Sequence, residues 1–138
     1  MNRDELKKIL PHREPMLLVD EAEVDGDGKA QGRYLVKGDE WFLQGHFPNY
    51  PIVPGVILCE MMAQVSAVVM ASETAGKRTL LVGMDEIRVK QQVVHGDTVE
   101  FTCELERSKP PFYFIKGEGK VNGKRCISGK FSVALVDG

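Results

Sequence analysis

The stretch from Val56 to about Thr74 constrains this chain most, because it is apolar on nearly every helical face. Val56, Ile57, Leu58, Met61, Met62, Ala63, Val65, Ala67, Val68, Val69, Met70 and Ala71 leave no solvated stripe. A helix of that kind must be surrounded by protein or by lipid. The wider apolar run, Ile52 to Ala71, is about as long as a membrane-spanning helix. It contains Pro54-Gly55, Glu60 and Gln64, however, and a carboxylate at mid-span disfavours insertion. The expected place is the interior of a soluble protein, with Gly76 as the helix stop and no membrane insertion.

What encloses the helix reads as strand and turn. Asp4 to Leu10 reads as a short amphipathic helix ending at Pro11, and Met16 to Val24 as a strand. Asp25-Gly26-Asp27-Gly28 is a turn signature, and Lys29 to Val36 returns. Gly38 to Pro54, dense in Gly, Pro and aromatics, reads as a structured loop. After the helix, Leu80 to Val94 is β-prone, Gly96-Asp97 turns, and Val99 to Leu105 alternates with period two. Pro110-Pro111 breaks the chain before Phe112 to Val121, and Asn122-Gly123 predicts a hairpin with Lys124 to Val136. One buried helix with five or six mostly antiparallel strands predicts an α+β fold with a sheet wrapped around the helix. Short turns between the later strands argue against βαβ winding. No linker, repeat or charge block divides residues 1–138, so a single domain is expected.

Composition narrows the function classes. A net charge of −2 gives no support for nucleic-acid binding. The first ten residues show no apolar run with a cleavage site, so no secretory signal is expected. Cys59, Cys103 and Cys126 fit neither a disulfide framework nor a C-x-x-C motif, which suits a reducing cytosol and a cytoplasmic location.

Three features converge near the helix start. Gly45-His46-Phe47-Pro48 holds a histidine in a stiff loop; it is either a candidate base or a loop histidine satisfied by a carbonyl. Glu60 lies in the first turns of the apolar helix, where it is either structurally paired or a proton donor. An apolar setting favours the neutral form of a carboxyl group. Gln64, four residues on, shares its face. Pro54-Gly55-Val56 starts the helix and leaves first-turn amides free for a carbonyl gaining negative charge, or is simply an ordinary helix start. Taken together, these residues suit β-elimination. His46 removes the proton next to a thioester carbonyl, the Gly55 and Val56 amides hold the enolate-like oxygen, and Glu60 protonates the departing hydroxyl. No step requires a metal, nicotinamide or other cofactor.

On these residues the chain resembles the (3R)-hydroxyacyl-[acyl-carrier-protein] dehydratases of the FabZ type. The resemblance runs from Leu10-Pro11-His12-Arg13-Glu14-Pro15-Met16-Leu17-Leu18-Val19-Asp20 to the last strand. Its most specific block is Phe42 to Gln64, with His46 followed fourteen positions later by Glu60. A second block runs from Gly83-Met84-Asp85 to Gly96-Asp97. The resemblance implies a hotdog fold, a curved antiparallel sheet around one long helix. It further implies a homodimer with shared sites, His46 of one subunit facing Glu60 of the other, and a hexamer built as a trimer of dimers. An acyl chain carried on acyl carrier protein would lie in an apolar tunnel at the dimer interface. Phe47, Pro54, Gly55, Val56 and Gln64 would contact the substrate, with the Gly55 amide on the thioester carbonyl and Gln64 positioning Glu60. His12 falls in the N-terminal block, where a structural task is expected.

The sequence departs from the family pattern at His95, where proline is usual, and at Val89, where phenylalanine is common. His95 is expected to be a turn residue. The carrier protein is typically acidic, so Arg88 and Lys90 are candidates for a basic rim. The competing readings are a hotdog acyl thioesterase, a dehydratase that also isomerises the double bond, and a non-catalytic acyl-binding module.

Overall fold

The computed structural model describes residues 1–74 and 76–137. Its elements are α1 (Arg3–Leu6), β1 (Glu21–Val24), β2 (Ala30–Leu35), a 3₁₀ turn (Trp41–Leu43), α2 (Gly55–Ser66), a 3₁₀ segment (Ala67–Met70), α3 (Ala71–Thr74), β3 (Lys77–Val89), β4 (Thr98–Lys109), β5 (Phe112–Val121) and β6 (Lys124–Asp137). The six strands form one sheet in the order β1-β2-β4-β5-β6-β3, and every pairing is antiparallel.

Local chemistry accounts for much of this. Asn2 and Glu5 form a capping box that starts α1. Asn122 and Gly123 adopt φ of 51° and 80°, the left-handed pair that a tight hairpin between β5 and β6 requires. The predicted long helix is present from Gly55 to Thr74, tightening to 3₁₀ geometry over Ala67–Met70. It is long and apolar enough to cross a membrane, yet two-thirds of it is buried inside the protein. It contacts β2, β3, β4, β5 and β6, which makes it the centre of the fold.

The sheet accepts the helix where it offers glycine. A Cβ on Gly32 would lie 2.7 and 2.9 Å from the two γ carbons of the fully buried Val65. One on Gly117 would lie 3.2 Å from Met62 Sδ and 3.1 Å from Cys103 Sγ. Around this contact close Phe101, Ile115, Ile127 and Val133, all buried and projecting from β4, β5 and β6.

Several sequence expectations need correction. Helix α1 ends at Leu6 rather than Leu10. Strand β1 begins at Glu21, not Met16, although Leu17, Leu18 and Val19 are buried as a strand would bury them. Strand β3 ends at Val89, short of Val94, and is broken by irregular register between Leu81 and Gly83 and between Asp85 and Arg88. Nor is the helix enclosed at its start: Val56 is 68% exposed. Gly32→Ala should lower stability by about 1–3 kcal/mol through overpacking against Val65, measured by urea unfolding.

Candidate active site

His46 is held from both sides by one residue. Its backbone carbonyl accepts from the Ile52 amide at 2.8 Å, and its ring Nδ1 lies 3.1 Å from the Ile52 carbonyl oxygen. A carbonyl oxygen only accepts, so Nδ1 carries the ring proton and Nε2 keeps the lone pair. The ring is half-buried and stacks on Phe47 with centroids 4.6 Å apart. Phe47 and Tyr50 exchange two backbone hydrogen bonds of 3.0 Å, which closes the loop tip. The carbonyl that satisfies one ring nitrogen therefore leaves the other free as a base.

Glu60 and Gln64 lie four residues apart on α2, one helical turn, as their spacing predicts. The Gln64 side chain is almost fully buried, and its oxygen and both of its N–H groups are hydrogen-bonded. Its Oε1 accepts from the Leu18 amide at 2.8 Å, and its Nε2 donates at 2.8 Å to both the Met16 carbonyl and Glu60 Oε2. The first two partners permit one orientation of the amide, so Glu60 Oε2 must accept. A proton on Glu60 therefore resides on Oε1.

Pro54 caps α2 without a side-chain hydrogen bond, and the first intrahelical bonds come from the Ile57 and Leu58 amides to its carbonyl. Among the described residues no protein acceptor is found for the Gly55 and Val56 amides, which leaves two first-turn donors free at the helix start. A Cβ on Gly55 would lie 3.1 Å from Val89, so the backbone approaches β3 closely there. Val56 and Glu60, one turn apart, share the uncovered face of the helix.

Within one chain no hydrogen bond or ion pair joins His46 to Glu60 among the described residues. The imidazole beside Glu60 is that of His12, whose Nε2 lies 3.4 Å from Glu60 Oε2. This contact spans 48 positions and leaves no local pattern in the sequence. His95 is exposed in the turn that carries the Gly96 amide to the Val36 carbonyl, with its ring over Gly38. Among the described residues no group of three or more His, Cys, Asp or Glu is placed to hold a metal. Burial pushes the Cys59 thiol, beside Glu60, above its usual range, which makes it a poor nucleophile.

The profile of the FabA-like domain matches residues 10–130. A 3-hydroxyacyl-[acyl-carrier-protein] dehydratase FabZ from Macrococcus caseolyticus is 41% identical over 137 residues, covering 97% of this chain and 94% of that protein. This chain belongs to the FabZ dehydratase family. Among solved structures, the dehydratase heterocomplex ApeI:P from Xenorhabdus doucetiae superposes with a TM-score of 0.82 at 21% identity, over 96% of this chain and 91% of that one. A hypothetical thioesterase with coenzyme A from Streptococcus pneumoniae superposes with a TM-score of 0.61 at 14% identity, covering 85% and 88%. The architecture is thus the hotdog fold, shared by dehydratases and thioesterases alike, so sequence and site chemistry must separate them.

Gln64→Leu should cost about 2–3 kcal/mol in urea unfolding, because it strands the buried Leu18 amide and the Met16 carbonyl.

Proposed function

We propose that the chain dehydrates (3R)-hydroxyacyl groups carried on acyl carrier protein to trans-2-enoyl groups, as the names of its FabZ relatives describe for them. The observation that carries this reading is the complementary polarisation of two pinned side chains. His46 has one free ring nitrogen, Nε2, with a lone pair. Glu60 has one carboxyl oxygen, Oε1, that is not engaged by Gln64 and is the one able to carry a proton. In the proposed reaction His46 Nε2 takes the proton from C2. Charge collects on the thioester oxygen, where the Gly55 and Val56 amides donate. The C3 hydroxyl leaves as water with the proton from Glu60 Oε1. Phe47, Pro54 and Val56 line the approach, and Gln64 acts through Glu60.

In this reading a second copy brings together the base and the acid that do not meet within one chain. The sheet offers a place for it: β3 is an edge strand of thirteen residues that exposes Leu80, Val82 and Met84. A long apolar edge is unstable in water unless paired. Docking two copies there would set His46 of one protomer against Glu60 of its partner and bury an apolar lane for the acyl chain, with Phe47, Val56 and Val89 exposed nearby. A trimer of such dimers is the assembly that the family resemblance implies. The three free, buried cysteines suit the cytosol as its location.

Purified protein should interconvert 3-hydroxyacyl and 2-enoyl thioesters, followed by mass. His46→Ala and Glu60→Gln should each lose activity by about 10²-fold or more while remaining folded dimers. Release of free acid would assign the chain to the thioesterases, an enoyl product with a migrated double bond would add isomerisation, and no turnover would leave an acyl-binding module.

Arg88 and Lys90 are exposed at the end of β3 and form the proposed rim for the acidic carrier. Reversing both charges should lower kcat/KM for carrier-bound substrate by about tenfold and spare a small thioester analogue. Equal loss on both substrates would refute the rim.

A further inference from the structure

Two buried polar atoms near Glu60 have no protein partner: ring Nδ1 of His12 and the hydroxyl of Thr79. Both residues line one cavity of about 10 Å³, whose walls include Glu60, Gln64, Leu81 and Val133. A space of that size holds about one water, and a water is stable there when two or more polar groups meet it. Natural proteins leave very few buried polar groups unpaired, so the pair of orphans marks a shared third partner.

The ring's proton can be placed. Glu60 Oε2 accepts from Gln64 and faces His12 Nε2 at 3.4 Å. An accepting oxygen favours a donor opposite it, so the neutral ring carries its proton on Nε2 and Nδ1 becomes an acceptor. Nδ1 then requires an O–H donor from the cavity. The ring's backbone is itself clamped: the Arg13 guanidinium donates to the His12 carbonyl at 2.7 Å, the Leu10 carbonyl at 2.9 Å and the Lys7 carbonyl at 3.2 Å. Arg3 ties the following residues by donating to the Leu17 and Val19 carbonyls and pairing with Glu14 and Asp20.

We propose that His12 is a positioning residue for Glu60, held in its Nε2–H form by one buried water shared with the Thr79 hydroxyl. The contact is longer than an ordinary hydrogen bond, so its work is orientation: with Gln64 it holds Oε2 from two sides and keeps Oε1 turned outward. The role in turnover rests on the dehydratase reading, whereas the tautomer and the water do not.

The experiment has two arms, both on the full chain. In kinetics, His12→Ala should lower kcat by about tenfold or more with KM within about twofold, since a displaced acid weakens the transition state rather than binding. His12→Gln, which can return a donor to Glu60, should recover most of the loss. Thr79→Val should lower kcat about threefold, and Thr79→Ser should match wild type. Unchanged kcat in His12→Ala, or equal loss in the Ala and Gln variants with a lowered Tm, would overturn the positioning role. The second arm needs no substrate. ¹⁵N NMR of the ring nitrogens, with His12 assigned by its loss in His12→Gln, should show the Nε2–H tautomer. Its Nδ1 resonance should move in Thr79→Val. An Nδ1–H ring, or an Nδ1 signal indifferent to Thr79→Val, would overturn the water bridge. Wild-type protein with the expected NMR pattern and no turnover would overturn the dehydratase reading and the catalytic role while leaving the buried arrangement established.

Discussion

The structure depends on how closely one apolar helix can lie against its sheet. Helix α2 seats Val65 over Gly32, where a Cβ would collide, and Met62 over Gly117, where a Cβ would fit only tightly. Because interiors are close-packed, this contact sets the depth of the helix and hence the height of everything it carries. Gln64 extends the same constraint sideways, joining the helix to Met16 and Leu18 through a buried amide. The catalytic carboxyl proposed here is therefore supported by an element that cannot shift without breaking either packing or buried hydrogen bonds.

That support has a chemical result. His46 and Glu60 each have one polar atom fixed by an acceptor or donor of definite character, and each is left with one atom of the opposite function. Preorganisation of this sort places the cost of orientation in folding rather than in the reaction. A backbone carbonyl suits His46 because it selects a tautomer without adding charge. An amide suits Glu60 because Nε2 can only donate and so decides which oxygen bears the proton.

Much of this was legible in the residues themselves, where local chemistry rules. The all-apolar helix, its start at Pro54-Gly55 and the Asn122-Gly123 hairpin follow from patterns a few residues long. Met16 to Val19 misled for an equally physical reason. These residues are a continuous apolar run that buries Leu17, Leu18 and Val19, but their backbone groups pair with Arg13 nearby and with the Arg3 and Gln64 side chains instead of a neighbouring strand. The irregular register of β3 and its pairing with β6 were likewise invisible, since neither leaves a mark in local composition. At the site, His46, Glu60 and Gln64 stood out by residue type, setting and spacing. His12 and Thr79 did not, because what singles them out is a shared cavity that exists only after the chain has closed.

The two edges of the sheet are unequal. Strand β1 is four residues long, shows Glu21 and Glu23 to solvent, and is covered at Ala22 by two hydrogen bonds to Met1. Strand β3 is three times as long and exposes Leu80, Val82, Met84 and Val89 among its charged residues. A sheet that is adhesive along one side alone can be extended once and no further, because two molecules joined there present only their blunted margins. Growth by strand addition is thereby self-terminating, and the chain can keep an exposed hydrophobic strand for assembly without offering a template for fibres.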